Sequence, residues 1–240
     1  MFFSFTDFGV KLELFTFQHF IAIIVFALIP CFLLYYFRSA IKNYKHEKFI
    51  RISIGVYGLI WEFSLYAWYI FSGGKTDWRE VVPTTLCGLT IFISSYSMIT
   101  LSKRISPIVY FFSFGAVLSF IAADINYGFD RYRFYAFFVI HGLIIFEAVY
   151  LRVIHRIKAD KKAFIGSSLF LIPFLVVSII VNPMLDMNLF YLNFPFIADA
   201  PVYTQIYNFN NYLFTLAVVI TYYFFLLLMY GIAKKARLDD

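Results

Sequence analysis

Four side chains that can do chemistry lie inside long apolar stretches of the sequence: His19, Glu62, Cys87 and His141. Ionisable groups are costly in such surroundings, so they are functional candidates by default. A cysteine near the start of a helix, with a histidine at a matching depth, is one arrangement that activates a thiolate nucleophile. Cys87 and His141 fit that description.

Counting residues from the ends of the stretches places all four side chains roughly 6–14 Å below the same surface, at about 1.5 Å per residue. They belong to four different stretches, so we expect one polar layer. Cys87 and His141 are predicted to face a single cavity there, with His19 or Glu62 as further substrate-binding residues in its lining. That arrangement requires the second, third and fifth stretches to be mutual neighbours.

Three of these residues also fit purely structural roles. His19 is compatible with a polar residue at the membrane interface, near a helix start. Glu62 shares a helix face with Gly55 and Gly58, which favours close helix packing around a hydrogen-bonded or protonated carboxyl. A histidine buried as His141 would be is also typical of a hydrogen bond between helices.

Cys87 begins a stripe of small polar residues at helical spacing. Thr84 precedes it, and Thr90, Ser94 and Ser97 follow. Thr84 and Thr90 are our further candidates for substrate binding. The stripe is equally compatible with a helix-packing seam, and a buried cysteine is compatible with a small apolar residue.

Seven apolar stretches must position these residues, each about long enough to cross a bilayer. Hydrophobic residues make up 62% of the chain and charged residues 14%, with a mean hydropathy of +0.79. A soluble domain is nearer half apolar and a quarter charged, and a hydrocarbon core of about 30 Å takes roughly 20 helical residues. The sequence therefore predicts an all-α, polytopic bundle of seven transmembrane helices, in a single domain over residues 1–240. The predicted spans are about 15–37, 50–71, 80–101, 106–122, 134–154, 164–182 and 211–232.

Positive charge predicts the orientation of this bundle. Most of the 20 Lys and Arg residues fall in alternate connections, at residues 38–51, 103–104, 152–162 and 234–237. By the positive-inside rule, the N-terminus lies outside and the C-terminus in the cytoplasm of a multi-pass cell-membrane protein. Loops facing anionic lipid explain the net charge of +6, so we expect membrane phospholipids and no nucleic acid as partners. The first stretch lacks a leading basic segment and an Ala-x-Ala site, so we expect it to remain as a span. Oligomeric state is not predicted.

The remaining patterns give few specific sites. No zinc-type Cys/His spacing, P-loop or dinucleotide fingerprint occurs, so we predict no metal and no cofactor. Cys31 and Cys87 differ in predicted depth by roughly 15 Å, well beyond the reach of a disulfide, and are predicted to be free thiols. The proline-containing connection at 183–210 is compatible with a lid over the polar layer or with an interfacial segment.

Several short segments resemble one family. Residues 82–89, Val-Pro-Thr-Thr-Leu-Cys-Gly-Leu, resemble the Pro-x-x-Leu-Cys signature of the YwaF-like family of bacterial integral membrane proteins. The segment around His141 resembles that family's helix histidine, and His19 lies where the family tends to place an early histidine. Residues 188–195 resemble part of its last loop, although no lysine precedes Pro195 here.

The YwaF-like proteins are similar to a mammalian seven-span acyltransferase that remodels ether phospholipids through an essential cysteine. The resemblance implies an integral membrane acyl-transfer enzyme that acts on phospholipid or lysophospholipid in an outer-leaflet cavity, or a lipid ester hydrolase. It also implies that Cys87 is the acyl-accepting nucleophile and His141 its base. The competing hypothesis is a non-enzymatic protein that binds or transports a small solute or lipid through the same polar layer.

Overall fold

The computed structural model of this 240-residue chain describes residues 2–7, 9–72, 79, 83–195 and 201–236. Every regular element within these ranges is helical. A π-helical segment, Ile24–Leu28, joins the first two helices, and a 3-10 turn, Leu189–Tyr191, precedes the tenth. The helices are α1 (Phe17–Ile23), α2 (Ile29–Tyr36), α3 (Arg38–Asn43), α4 (Glu47–Phe71), α5 (Leu86–Thr100), α6 (Ser106–Phe112), α7 (Phe114–Ile121), α8 (Tyr132–Val153), α9 (Lys161–Leu185), α10 (Pro201–Phe209) and α11 (Asn211–Lys235).

Apolar helices occupy all seven predicted positions, but they differ in length. Five are long and apolar enough to cross a membrane: Phe17–Tyr36, α4, α8, α9 and α11. The α5 helix and the Ser106–Ile121 pair of α6 and α7 are apolar but shorter. At about 1.5 Å per residue, α5 extends roughly 22 Å, which is less than a hydrocarbon core of about 30 Å. The described part of the chain is thus all-helical, with five helices of full spanning length, as in a multi-pass membrane protein.

Side-chain caps fix where several helices begin. Thr85 accepts a hydrogen bond from the Gly88 N–H at 3.0 Å, so α5 starts at Leu86. Asp160 caps α9 and Asn210 caps α11 in the same way. Some predicted features lie outside the described residues. They are the start of the third span at residue 80, residues 196–200 of the long loop, and residue 237 of the last basic connection.

The α8 helix is the centre of the bundle. In the most apolar stretch of α8, 61% of the residues are buried, whereas 17–22% are buried in the corresponding stretches of the other four long helices. It packs against the π segment, α2, α4, α5, α6 and α7. The outer helices leave large side chains such as Phe49, Phe71 and Leu169 exposed. A soluble protein rarely exposes so much apolar surface, so a bilayer is the solvent that covers it.

Glycines bring α4 against α5, and both pack on α8. A Cβ on Gly55 would lie 2.8 Å from the Ser95 carbonyl oxygen, and one on Gly58 would lie 2.8 Å from the Ser95 Oγ. Only glycine allows backbones to approach this closely. The predicted mutual contact of the second, third and fifth stretches is therefore confirmed, as is the packing role of these two glycines.

The segment before α1 folds over the end of the bundle where α4 stops and α8 starts. The Trp68 indole N–H donates to the Phe3 carbonyl at 2.9 Å, and Arg131 forms an ion pair with Asp7 at 2.5 Å. The backbone N–H of Gly9 lowers the pKa of the Asp7 carboxyl, with Arg131 acting in the same direction, which keeps the carboxylate ionised. The same end of the bundle carries the start of α5, where Cys87 lies.

Candidate active site

A cavity of about 490 Å³ lies between α5, α7, α8 and α11, and both Cys87 and His141 line it. Its volume falls within the range of about 300–1,000 Å³ that is usual for small-molecule sites. Aromatic and aliphatic side chains such as Phe114, Leu118 and Phe225 form the apolar wall. The polar lining consists of Thr85, Cys87, Ser119, Asp124, Arg133, His141, Tyr191, Tyr203, Thr221 and Tyr222. The cavity is thus amphipathic.

Cys87 is the second residue of α5 and lies in its first turn, two residues after the Thr85 cap. Its Sγ lies 3.9 Å from the Ser119 Oγ on α7. A Cβ on Gly115 would approach this sulfur to 3.1 Å, so the glycine leaves room for the thiol. Backbone N–H groups in the first turn of a helix have no intrahelical acceptor, and they favour negative charge. The helix dipole therefore acts in favour of a thiolate at this position, against the cost of burying its charge.

His141 is held in one tautomer by its own helix. Its Nδ1 lies 2.7 Å from the Phe137 carbonyl oxygen. Because a carbonyl only accepts, Nδ1 must carry the proton, and Nε2 keeps its lone pair. The Phe137 ring lies 4.3 Å from the imidazole centroid and limits rotation of the ring. His141 is thus oriented as a neutral base that faces the cavity with Cys87.

His19 lies outside the cavity lining and makes two hydrogen bonds to backbone groups. The Phe15 N–H donates to its Nδ1 at 3.0 Å, and its Nε2–H donates to the Phe120 carbonyl at 2.8 Å. The side chain is 0% exposed. With both ring nitrogens engaged, His19 has no lone pair left for a substrate, and it ties the first span to α7.

The other three predicted substrate-binding residues are likewise absent from the described lining. Glu62 is 3% exposed and accepts a hydrogen bond from the Tyr66 hydroxyl at 2.6 Å on its own helix. Thr90 is fully buried, and its hydroxyl donates to the Leu86 carbonyl. Thr84 accepts through its main-chain oxygen from the Phe190 N–H at 2.7 Å, so it anchors the long loop.

The polar stripe on α5 separates into two parts. The hydroxyls of Ser94 and Ser97 donate back to carbonyls of their own helix, as that of Thr90 does, and all three residues are 0% exposed. This part is a packing seam, one of the two interpretations that the sequence left open. Of the residues in the stripe, only Cys87, in the first turn of α5, lines the cavity.

The long connection after α9 supplies one wall of the cavity. Tyr191 and Pro195 line it. Their neighbour Phe190 is held by two backbone hydrogen bonds, since its N–H donates to the Thr84 carbonyl and its carbonyl accepts from the Tyr222 hydroxyl. Burial raises the pKa of the Tyr191 phenol well above its ordinary value, so the group stays neutral. The described part of this loop thus closes the site against α11.

Apart from Cys87 and His141, the polar lining was not predicted from the sequence, and it includes Ser119, Asp124 and Arg133. Arg133 had a usable signal, because Arg133, Phe137 and His141 follow one another at four-residue spacing and so share a helix face. Desolvation raises the pKa of the Asp124 carboxyl, and the positive charge of Arg133 opposes that shift.

Neither cysteine forms a disulfide, as predicted. Within the described residues, no group of three or more His, Cys, Asp or Glu side chains is placed to hold a metal ion. The described lining offers a thiol, an imidazole, hydroxyls and one pair of opposite charges.

Comparison with known proteins found a matching family model but no individual matching protein. The model of the TMEM164 family matches residues 14–228. No curated protein and no solved structure matches the chain. The matched range contains the whole described lining of the cavity.

Proposed function

The chain belongs to the TMEM164 family of membrane proteins, and we propose that it is an enzyme that transfers acyl chains between phospholipid and lysophospholipid. The observation that carries the proposal is that Cys87, at a helix N-terminus, and His141, with an available Nε2, line one amphipathic cavity. The resemblance of residues 82–89 to the bacterial YwaF-like signature supports the same assignment. We propose the cell membrane as its location.

The first half of the reaction forms a thioester. His141 Nε2 takes the proton of the Cys87 thiol, and the thiolate attacks the ester carbonyl of a phospholipid. A carbon–sulfur bond forms, the ester carbon–oxygen bond breaks, and the leaving glycerol oxygen receives the proton from the imidazolium. The products are a lysophospholipid and Cys87 carrying the acyl chain.

The second half reverses these steps with a new acceptor. His141 takes the proton of a lysophospholipid hydroxyl, whose oxygen attacks the thioester carbonyl. The new ester bond forms as the carbon–sulfur bond breaks, and the sulfur recovers a proton. Water as the acceptor would give hydrolysis instead of transfer. General-base help of this kind is worth about 10²–10⁴-fold in rate.

A covalent-trapping experiment tests the proposal. Purified protein incubated with a phospholipid carrying a radiolabelled acyl chain is expected to acquire label that neutral hydroxylamine removes, because hydroxylamine cleaves thioesters. The substitution His141→Ala is expected to slow labelling by about 10²–10⁴-fold. Label that resists hydroxylamine would contradict a thioester. Bound lipid without covalent label would favour the non-enzymatic binding or transport protein.

We propose that all seven apolar segments cross the membrane, with the N-terminus outside. Single cysteines can test this in a Cys31→Ala, Cys87→Ser background, at the exposed positions Ser39 and Asn126. An impermeant maleimide is expected to label Asn126→Cys in intact cells and Ser39→Cys only after permeabilisation, because Ser39 lies in a basic connection. Labelling of Ser39→Cys in intact cells would overturn the orientation.

A further inference from the structure

We propose that Arg133 and Asp124 form a head-group subsite for a zwitterionic phosphodiester, in which Arg133 binds the phosphate and Asp124 binds the ammonium group. Both side chains line the cavity that also contains Cys87 and His141. Arg133 comes from the first turn of α8, and Asp124 follows the end of α7. The subsite therefore lies at the end of the cavity nearest the membrane surface, where lipid head groups lie.

Arg133 and Asp124 attract each other electrostatically, but they make no direct polar contact in the described part of the chain. Within those residues, neither Arg133 nor Asp124 forms a hydrogen bond or an ion pair, and the Arg133 guanidinium lies 5.7 Å from the Phe137 ring centroid. Arg131, only two residues earlier, behaves differently, because Asp7 and Asp130 bind it at 2.5 and 2.6 Å. Because neither side chain makes a direct polar contact in the described part of the chain, both are available to a ligand that carries the two opposite charges.

The placement also fits the chemistry of a phospholipid. Arg133 and His141 are eight residues apart on one helix, or roughly 12 Å along its axis. A glycerophospholipid carries its sn-2 ester and its phosphate on neighbouring carbons, so a site for the carbonyl implies a phosphate site nearby. Arginine can reach down to a phosphate with its long side chain and bind it through two parallel N–H groups. Asp124 adds selectivity, because it repels a lipid with an anionic head group and attracts one with an ammonium group.

This inference rests on the proposed function for its choice of ligand, so its test reads binding without chemistry. Cys87→Ala protein in detergent is titrated calorimetrically with dihexanoyl phosphatidylcholine, dihexanoyl phosphatidylglycerol, dihexanoylglycerol and tail-free glycerophosphocholine. We expect the zwitterionic lipid to bind about tenfold more tightly than the other three, the difference usual for one charged hydrogen-bonded contact.

Variants of the two charged residues separate their roles. Adding Arg133→Gln is expected to weaken phosphatidylcholine and phosphatidylglycerol binding about tenfold, while Asp124→Asn weakens phosphatidylcholine binding only. Arg133→Lys keeps the charge and is expected to retain most of the affinity. Arg104→Gln removes an exposed arginine from the turn after α5, far from the cavity, and is the matched control.

Three results would overturn the subsite. They are equal binding of dihexanoylglycerol and phosphatidylcholine, an unchanged lipid preference in folded Arg133→Gln protein, and glycerophosphocholine binding as tight as that of the lipid. The lipid series on protein with both charges intact decides the matter even if Arg133→Gln does not fold. Failure of acyl transfer would leave this binding pattern in place, whereas failure of the subsite would leave the thioester label in place, so the two proposals fail separately.

Discussion

Alanine in place of Cys87 is expected to abolish acyl exchange between phospholipids, with the rate falling by more than about 10³-fold because the reaction loses its nucleophile. The measurement is transfer of a radiolabelled acyl chain from phospholipid to lysophospholipid by purified protein in lipid vesicles. The remaining cavity would still bind both lipids. Lipid binding alone cannot replace the covalent step, so we expect no substantial residual rate of acyl exchange in the variant.

Cys31 provides the matched control for this experiment. It is the other free cysteine, it lies on α2, and it is absent from the cavity lining. Cys31→Ala removes a thiol that lies outside the cavity lining. It is expected to leave the exchange rate within about twofold of that of the unsubstituted protein. Full activity in Cys87→Ala, or loss of activity in Cys31→Ala, would end the proposed mechanism.

The sequence predicted how deep each polar residue lies, but not which way it faces. Hydropathy located the helices that carry His19, Glu62, Cys87 and His141, and only the last two line the cavity. Depth follows from counting residues along a helix. The direction in which a side chain faces depends on the rotation of its helix about its own axis, which tertiary packing sets. Because successive residues are rotated by about 100°, neighbouring side chains can face the cavity or a packed helix interface. Of the four polar groups predicted to share one depth, two line the cavity.

Hydrogen bonds within the protein explain why the other two do not line the cavity. His19 is bound by the Phe15 N–H and the Phe120 carbonyl, and Glu62 is bound by Tyr66. The Phe120 partner is distant in sequence, so no pattern near His19 could indicate it. Glu62 has its partner one turn away, and that spacing was a usable signal for a structural role.

The walls of the cavity depended on long-range contacts and were the least predictable part. Tyr191 reaches the site because the Thr84 carbonyl and the Tyr222 hydroxyl hold its neighbour Phe190. Phe190 and Tyr191 both have positive φ, of 56° and 57°, a conformation that neither residue type favours on its own. Tertiary contacts set this geometry, so local sequence preferences could not predict it.

The second large effect concerns the fold that supports the site. Gly142 follows His141 on the central helix, and a Cβ there would lie 2.2 Å from the Phe26 carbonyl oxygen in the π segment of the first span. That oxygen belongs to backbone, so relief requires a shift of the whole helix. Overpacking of this kind costs typically about 1–3 kcal/mol, and more where backbone must move.

Gly142→Ala is therefore expected to lower the melting temperature in detergent by roughly 5 °C or more, measured by circular dichroism, since about 1 kcal/mol corresponds to a shift of roughly 2–4 °C at this chain length. Gly166→Ala is the matched control, because this glycine also lies inside a long helix, α9, and a Cβ there meets nothing within 4 Å. Alanine at that position is expected to leave stability unchanged or to raise it slightly, by less than about 1 kcal/mol. Equal melting temperatures for the two variants would mean that the first span does not rest on α8 at Gly142. The anchoring of His19 between Phe15 and α7 would then have to hold that span in place without it.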